Sequence, residues 1–123
     1  MGKVVLIVED EPNNMKLTSD LLAILGYSSI KAVDGQQGVE VAKKYKPDLI
    51  LMDIMMPKMD GYAACHAIKI APETKNIPVV MLTAVGYDLN RRLATQMGAD
   101  GYLTKPFSRQ QLADAISPFL STV

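Results

Sequence analysis

Two apolar runs in this sequence stop at carboxylates. Val4-Val5-Leu6-Ile7-Val8 leads straight into Glu9-Asp10-Glu11, and Leu49-Ile50-Leu51-Met52 leads into Asp53. An ionised carboxylate at the end of a buried strand is costly unless a cation or several hydrogen bonds compensate it. Two such ends brought side by side form an acidic pocket, and an acidic pocket of oxygen donors suits a hard metal ion. Other runs also end in polar residues: the one before Ala84 ends in Thr83, and the one before Pro106 ends in Lys105. A hydroxyl and an ammonium are thus available to meet the carboxylates. Asp34-Gly35, after another run, reads as a helix cap.

Those residues need elements to hold them. Short apolar runs predict strands near Lys3–Val8, Ser29–Val33, Asp48–Met52, Pro78–Thr83 and Gly101–Thr104. The first, third and fourth are nearly continuous in apolar residues, as parallel strands covered on both faces are. Amphipathic stretches between them predict five helices, near Pro12–Leu25, Gly35–Tyr45, Gly61–Ile70, Asp88–Met97 and Arg109–Ile116. Pro12 suits a first helical turn, and Gly26 and Gly98 suit the position just past a helix end. Asp34 with Gln37, and Ser108 with Gln111, have the spacing of capping boxes, and Phe107 with Leu112 that of a hydrophobic staple. Leu89, Leu93 and Met97 form a stripe at four-residue spacing. Alternating βα units predict a parallel sheet with right-handed crossovers. Ligands of such sheets bind beyond the carboxyl ends of the strands, where strand order reverses. Glu9, Asp10, Asp53, Thr83 and Lys105 converge there if the first and third strands are neighbours.

Length and composition narrow the classes. A chain of 123 residues can bury one ordinary core. Thirteen basic residues balance thirteen acidic ones, so no basic excess points to nucleic acid or an anionic membrane. One cysteine, Cys65, allows no internal disulfide and fits a reducing, cytoplasmic setting. The N-terminal apolar run is too short for a signal peptide, and no run approaches membrane-spanning length. No linker, repeat or low-complexity tract divides residues 1–123, which predicts one domain.

Taken together, the acidic pair Glu9-Asp10, the segment Asp53-x-x-Met56-Pro57-x-Met59-Asp60-Gly61, the Thr83-Ala84 step and Lys105-Pro106 resemble the receiver domain of response regulators in two-component signalling, of the stand-alone type. The resemblance runs from end to end and implies a flavodoxin-like doubly wound sheet of order 2-1-3-4-5. It implies that Asp53 accepts a phosphoryl group from a sensor histidine kinase or a histidine phosphotransfer protein. It implies magnesium, with manganese as a substitute, held by Asp10, Asp53 and the Met55 carbonyl, and by Glu9 through water. Thr83 and the Ala84 N–H are expected to bind phosphoryl oxygens, and Lys105 to supply a positive charge. Thr83 and Tyr102 are the expected switch pair, altering the surface made by the fourth helix, fifth strand and fifth helix for a downstream protein target. The Lys105–Pro106 peptide is expected to be cis. The implied protein is a phosphoacceptor that assists its own phosphorylation and dephosphorylation, not an enzyme, with no direct contact to nucleic acid and no membrane insertion.

Plainer readings stand beside these. Met52, Met55, Met56 and Met59 have helical spacing, but Pro57 breaks a helix, so packing outweighs a soft-metal site. His66 reads as an ordinary helix residue, and Arg91-Arg92 as solvated surface. An aspartyl-phosphate phosphatase of the haloacid dehalogenase type wants a second acid two residues after the nucleophile, where Met55 stands. A flavodoxin-like cofactor binder wants a phosphate-cradling loop after the first strand, where three acids stand. A receiver excised from a larger protein remains an alternative to the stand-alone type. One departure from the family pattern is Pro118, which predicts that the last helix ends or kinks near Ile116-Ser117.

Overall fold

The structure, a computed structural model, describes residues 2–54, 56, 59–84, 92 and 95–120. Five strands, β1 (Val4–Val8), β2 (Ser28–Ala32), β3 (Leu49–Asp53), β4 (Val79–Ala84) and β5 (Gly101–Lys105), form one parallel sheet in the order β2-β1-β3-β4-β5. The described helices are α1 (Pro12–Ile24), α2 (Gly35–Tyr45), α3 (Gly61–Ile70) and α4 (Arg109–Leu120). Every strand falls within one residue of its predicted bounds. Of the helix predicted over 88–97, Arg92, Thr95 and Gln96 are helical and most of the rest lies outside the described residues. Among the described residues no helix is long and apolar enough to cross a membrane.

Period-two alternation along the strands splits the core into two layers. Leu6, Val8, Ile50, Met52, Val79 and Met81 face α2 and α3, meeting Ala42, Ala64, Cys65 and Ile68. Val5, Ile7, Leu49, Leu51, Val80 and Leu82 face α1 and α4, meeting Met15, Leu22, Leu112 and Ile116. Because neighbouring residues of β1, β3 and β4 point to opposite covered faces, both must be apolar, which is why these strands read as unbroken runs. Met52, Met56 and Met59 belong to or pack against the first layer, so the methionines there are packing residues. His66 is exposed on α3.

Helix ends are closed as the local sequence dictates. Ser108 and Gln111 form a reciprocal box: Ser108 N–H donates to Gln111 Oε1 at 2.8 Å, and Gln111 N–H to Ser108 Oγ at 3.1 Å. Asp34 caps α2 by accepting from Gln37 N–H at 2.8 Å, while Gln37 Oε1 accepts from Val33 N–H at 2.7 Å. Gly26 and Gly98 lie past helix ends with φ of 95° and 93°, the left-handed conformation that glycine adopts without a Cβ clash.

The predicted end of the last helix near Ile116-Ser117 is corrected: α4 runs through Pro118 to Leu120. Pro118 stands in the last turn, where its missing N–H removes a single helical bond. Leu120, buried in the second layer, and Phe119, packed against it, hold the turn in place.

Candidate functional site

The parallel register sets the carboxyl ends of β1, β3, β4 and β5 along one edge. Val8 lies beside Met52, Asp53 beside Leu82, Thr83 beside Thr104 and Ala84 beside Lys105. Glu9 and Asp10 therefore leave β1 next to the residue where β3 ends. One ligand oxygen from each of Glu9, Asp10 and Asp53 fits within a 4.8 Å span. Asp10 is exposed, Asp53 is buried, and Glu9 is 2% exposed. Thr83 is buried at the end of β4.

Lys105 reaches into this cluster from β5. Its Nζ lies 2.8 Å from Glu9 Oε1 and 3.2 Å from Asp53 Oδ1. The other Glu9 oxygen accepts from Glu11 N–H at 3.2 Å. The resemblance implies a positive charge from Lys105; the structure adds a direct hydrogen bond to Glu9, 96 positions away in the sequence. Burial raises the Glu9 carboxyl above its ordinary pKa, against the lowering effect of the Lys105 hydrogen bond. Burial also pulls on Lys105 in the lowering direction, but the bond to Glu9 and the charge of Asp53 together hold its ammonium above the ordinary value. The pair is thus an ammonium fixed in a partly buried acidic cleft. Three carboxylates face one ammonium, an imbalance that a hard divalent cation relieves. The donor set fits magnesium on those grounds.

The ends of the connection from β3 to α3 are tied together. Gly61 N–H donates to Ile54 O at 2.9 Å. A Cβ at Gly61 would overlap the Asp53 carbonyl oxygen and lie 2.8 Å from Ile54 Cα, so only glycine fits. Asp60 caps α3, its Oδ1 accepting from Ala63 N–H at 2.9 Å. Sequence reasoning took Asp60 as part of the motif around Asp53 and missed the cap. It likewise counted Glu11 as a third acid, whereas Glu11 caps α1 by accepting from Asn14 N–H at 2.8 Å. Each acid stands directly before a helix start, and that was the available signal. The Lys105–Pro106 peptide is cis, as expected. Tyr102 packs half-buried against the α2/α3 layer. Met55 lies outside the described residues, and so does its carbonyl.

Fold and site together define a doubly wound, flavodoxin-like α/β domain with an acidic cluster and a lysine at its switch point. The sequence matches the response regulator receiver domain over residues 5–117. The chain belongs to that family, whose members are signalling components of two-component systems. It is 39% identical over 116 residues to the DNA-binding dual master transcriptional regulator RpaA of Synechocystis, covering 94% of this chain and 48% of that protein. Among solved structures, a response regulator from Chloroflexus aurantiacus superposes with a TM-score of 0.95 at 30% identity, covering 98% of this chain and 99% of the other. The receiver domain of a sensor histidine kinase from Pseudomonas aeruginosa superposes with a TM-score of 0.91 at 34% identity, covering 99% and 100%; it carries a magnesium ion coordinated in its active-site cleft. The chain spans about half the length of the curated relatives it matches.

Proposed function

We propose that this chain is a phosphorelay switch in which Asp53 receives a phosphoryl group from a phosphohistidine on a sensor histidine kinase or histidine phosphotransfer protein. The observation that carries the reading is the Lys105 ammonium resting on Asp53 and Glu9 inside the three-carboxylate cluster. Asp53, buried at a strand end yet beside a cation, is positioned as the nucleophile. Its carboxylate oxygen attacks phosphorus, the P–N bond breaks, and the imidazole leaves. Phosphoryl transfer is mostly a matter of positioning and charge compensation, so little further chemistry is asked of the chain.

Asp10 and Asp53 with the Met55 carbonyl are the residues to hold magnesium, with Glu9 acting through water and manganese as a substitute. When bound, the ion compensates charge on the carboxylates and on phosphoryl oxygens. Thr83 Oγ and the Ala84 N–H, at the end of β4, donate to those oxygens. Lys105 exchanges its Glu9 contact for the incoming phosphoryl group. Movement of Thr83 toward that group opens space for Tyr102 on the adjacent strand. The altered face comprises the segment over 88–97, β5 and α4, and a downstream protein reads it. The chain thus acts as a phosphoacceptor that assists its own phosphorylation and dephosphorylation and not as an enzyme on other substrates. One receiver domain over residues 1–123, contacting proteins and not nucleic acid or membrane, completes the reading. The free, buried Cys65 fits the cytoplasm.

Incubation with acetyl phosphate and magnesium tests it: intact-mass analysis should show one added phosphoryl group, absent without magnesium and in Asp53→Asn. An equal shift in Asp53→Asn overturns the assignment.

A further inference from the structure

The first turn of α2 carries two glycines at positions where a side chain has no room; one meets the loop after Asp53 and the other the residue before Glu9. A Cβ on Gly35 would overlap the carbonyl oxygen of Met59 and lie 2.9 Å from its carbon. A Cβ on Gly38 would lie 2.9 and 3.0 Å from the two methyls of Val8. Val8 is fully buried and immediately precedes Glu9. Met59 belongs to the loop that follows Asp53 and is closed on itself by the Gly61 N–H to Ile54 O bond. That closure brings Gly61 onto the carbonyl of Asp53. The turn of α2 is therefore wedged between the strand end that delivers Glu9 and Asp10 and the loop that follows Asp53.

The turn is braced internally. Asp34 accepts from Gln37 N–H, Gln37 Oε1 accepts from Val33 N–H, and Gly38 N–H donates to Asp34 O at 2.9 Å. Both Gly35 and Gly38 are buried. A methyl group at 35 meets backbone, which cannot rotate aside as a side chain can, so the Met59 segment and the α2 turn must move apart.

We propose that Gly35, with Gly38 behind it, is a positioning residue that sets the separation between the end of β1 and the loop that follows Asp53, and through the placement of that loop the affinity of the site for magnesium. The inference rests on the reading of the cluster as a magnesium-dependent phosphoacceptor site. Gly35 touches neither metal nor phosphoryl group; it acts through the Met59 carbonyl. Groups that orient ligands from outside the coordination shell commonly change metal affinity by about 10–100-fold.

The test compares three alanine variants by calorimetric magnesium titration and by the magnesium dependence of acetyl phosphate labelling. Gly35→Ala should raise the magnesium Kd about tenfold or more and shift half-maximal labelling to correspondingly higher magnesium. Gly26→Ala is the control: its φ of 95° strains any alanine, yet nothing lies within 4 Å of the new Cβ. It should lower the melting temperature and leave the magnesium Kd at the wild-type value. If Gly35→Ala does not fold by circular dichroism, Gly38→Ala, which presses only on the Val8 methyls, carries the test with an expected rise in Kd above the Gly26→Ala value. A folded Gly35→Ala, or failing that Gly38→Ala, with the same Kd as Gly26→Ala overturns the proposal. Wild-type protein that neither binds magnesium nor takes a phosphoryl group overturns the underlying site reading instead.

Discussion

Replacing Lys105 by methionine keeps the length of the side chain and removes its charge. Lys105 Nζ sits 2.8 Å from Glu9 and 3.2 Å from Asp53. Its loss leaves Glu9, 2% exposed, and the buried Asp53 with no ammonium between them. Removing one partner of a fully buried ion pair costs about 3–5 kcal/mol. Lys105 is 27% exposed and Glu9 can take up a proton, so about 2 kcal/mol is the expected destabilisation at neutral pH. Unfolding entropy near 2.1 cal/mol/K per residue, over 123 residues, makes that roughly an 8 °C fall in Tm without divalent metal.

The pH dependence has a defined sign. Burial raises the Glu9 carboxyl, so the folded chain binds that proton more tightly than the unfolded chain. Ionising Glu9 therefore destabilises the fold as pH rises through the folded value. Lys105 limits the loss, and its raised ammonium keeps doing so up to the ordinary lysine range. The gap between wild type and Lys105→Met should narrow as pH falls through the Glu9 value, leaving the Asp53 contact, and be widest at neutral pH and above. Magnesium should also narrow it, by compensating the same carboxylates. Thermal unfolding followed by circular dichroism, across pH and with and without magnesium, reads all three effects. A Tm at neutral pH within about 2 °C of wild type, with no pH trend, refutes the reasoning, because the expected shift is several-fold larger.

Asp10→Ala should weaken magnesium binding sharply in calorimetric titration while leaving the fold intact, since Asp10 is exposed; unchanged affinity removes it from the site. Cys65 is fully buried and its thiol is pushed up to about 11 by burial, so it should resist thiol reagents at neutral pH and react once the chain is unfolded. Rapid labelling of the folded protein would contradict the packing of α3 on the sheet. Tyr102→Ala should accept a phosphoryl group normally yet lose phosphorylation-dependent capture of a partner in pull-down assays; undiminished capture removes Tyr102 from the switch.

β1, β3 and β4 were legible because burial on both faces leaves no room for polar alternation, and the caps at Asp34, Ser108 and Gly26 because their jobs are encoded within a few residues. The site was legible for a different reason. Carboxylates, a hydroxyl and a lysine stand directly after apolar runs, and parallel topology sends all those ends to one edge. What the sequence concealed depends on contacts between distant segments. The Glu9 to Lys105 bond joins β1 to β5, and the Gly35 contact joins α2 to the loop after β3. Pro118 misled because a local rule about helix interiors was applied to a last turn that Phe119 and Leu120 hold against the core.

The central claim is that Asp53 carries the phosphoryl group. An acyl phosphate is reduced by borohydride to an alcohol, which would turn a phosphorylated Asp53 into homoserine at that position alone. Peptide mass mapping after acetyl phosphate, magnesium and borohydride should find homoserine at 53, and none when the phosphodonor is omitted. Homoserine at Asp10 or another acid, with Asp53 unaltered, would contradict the account.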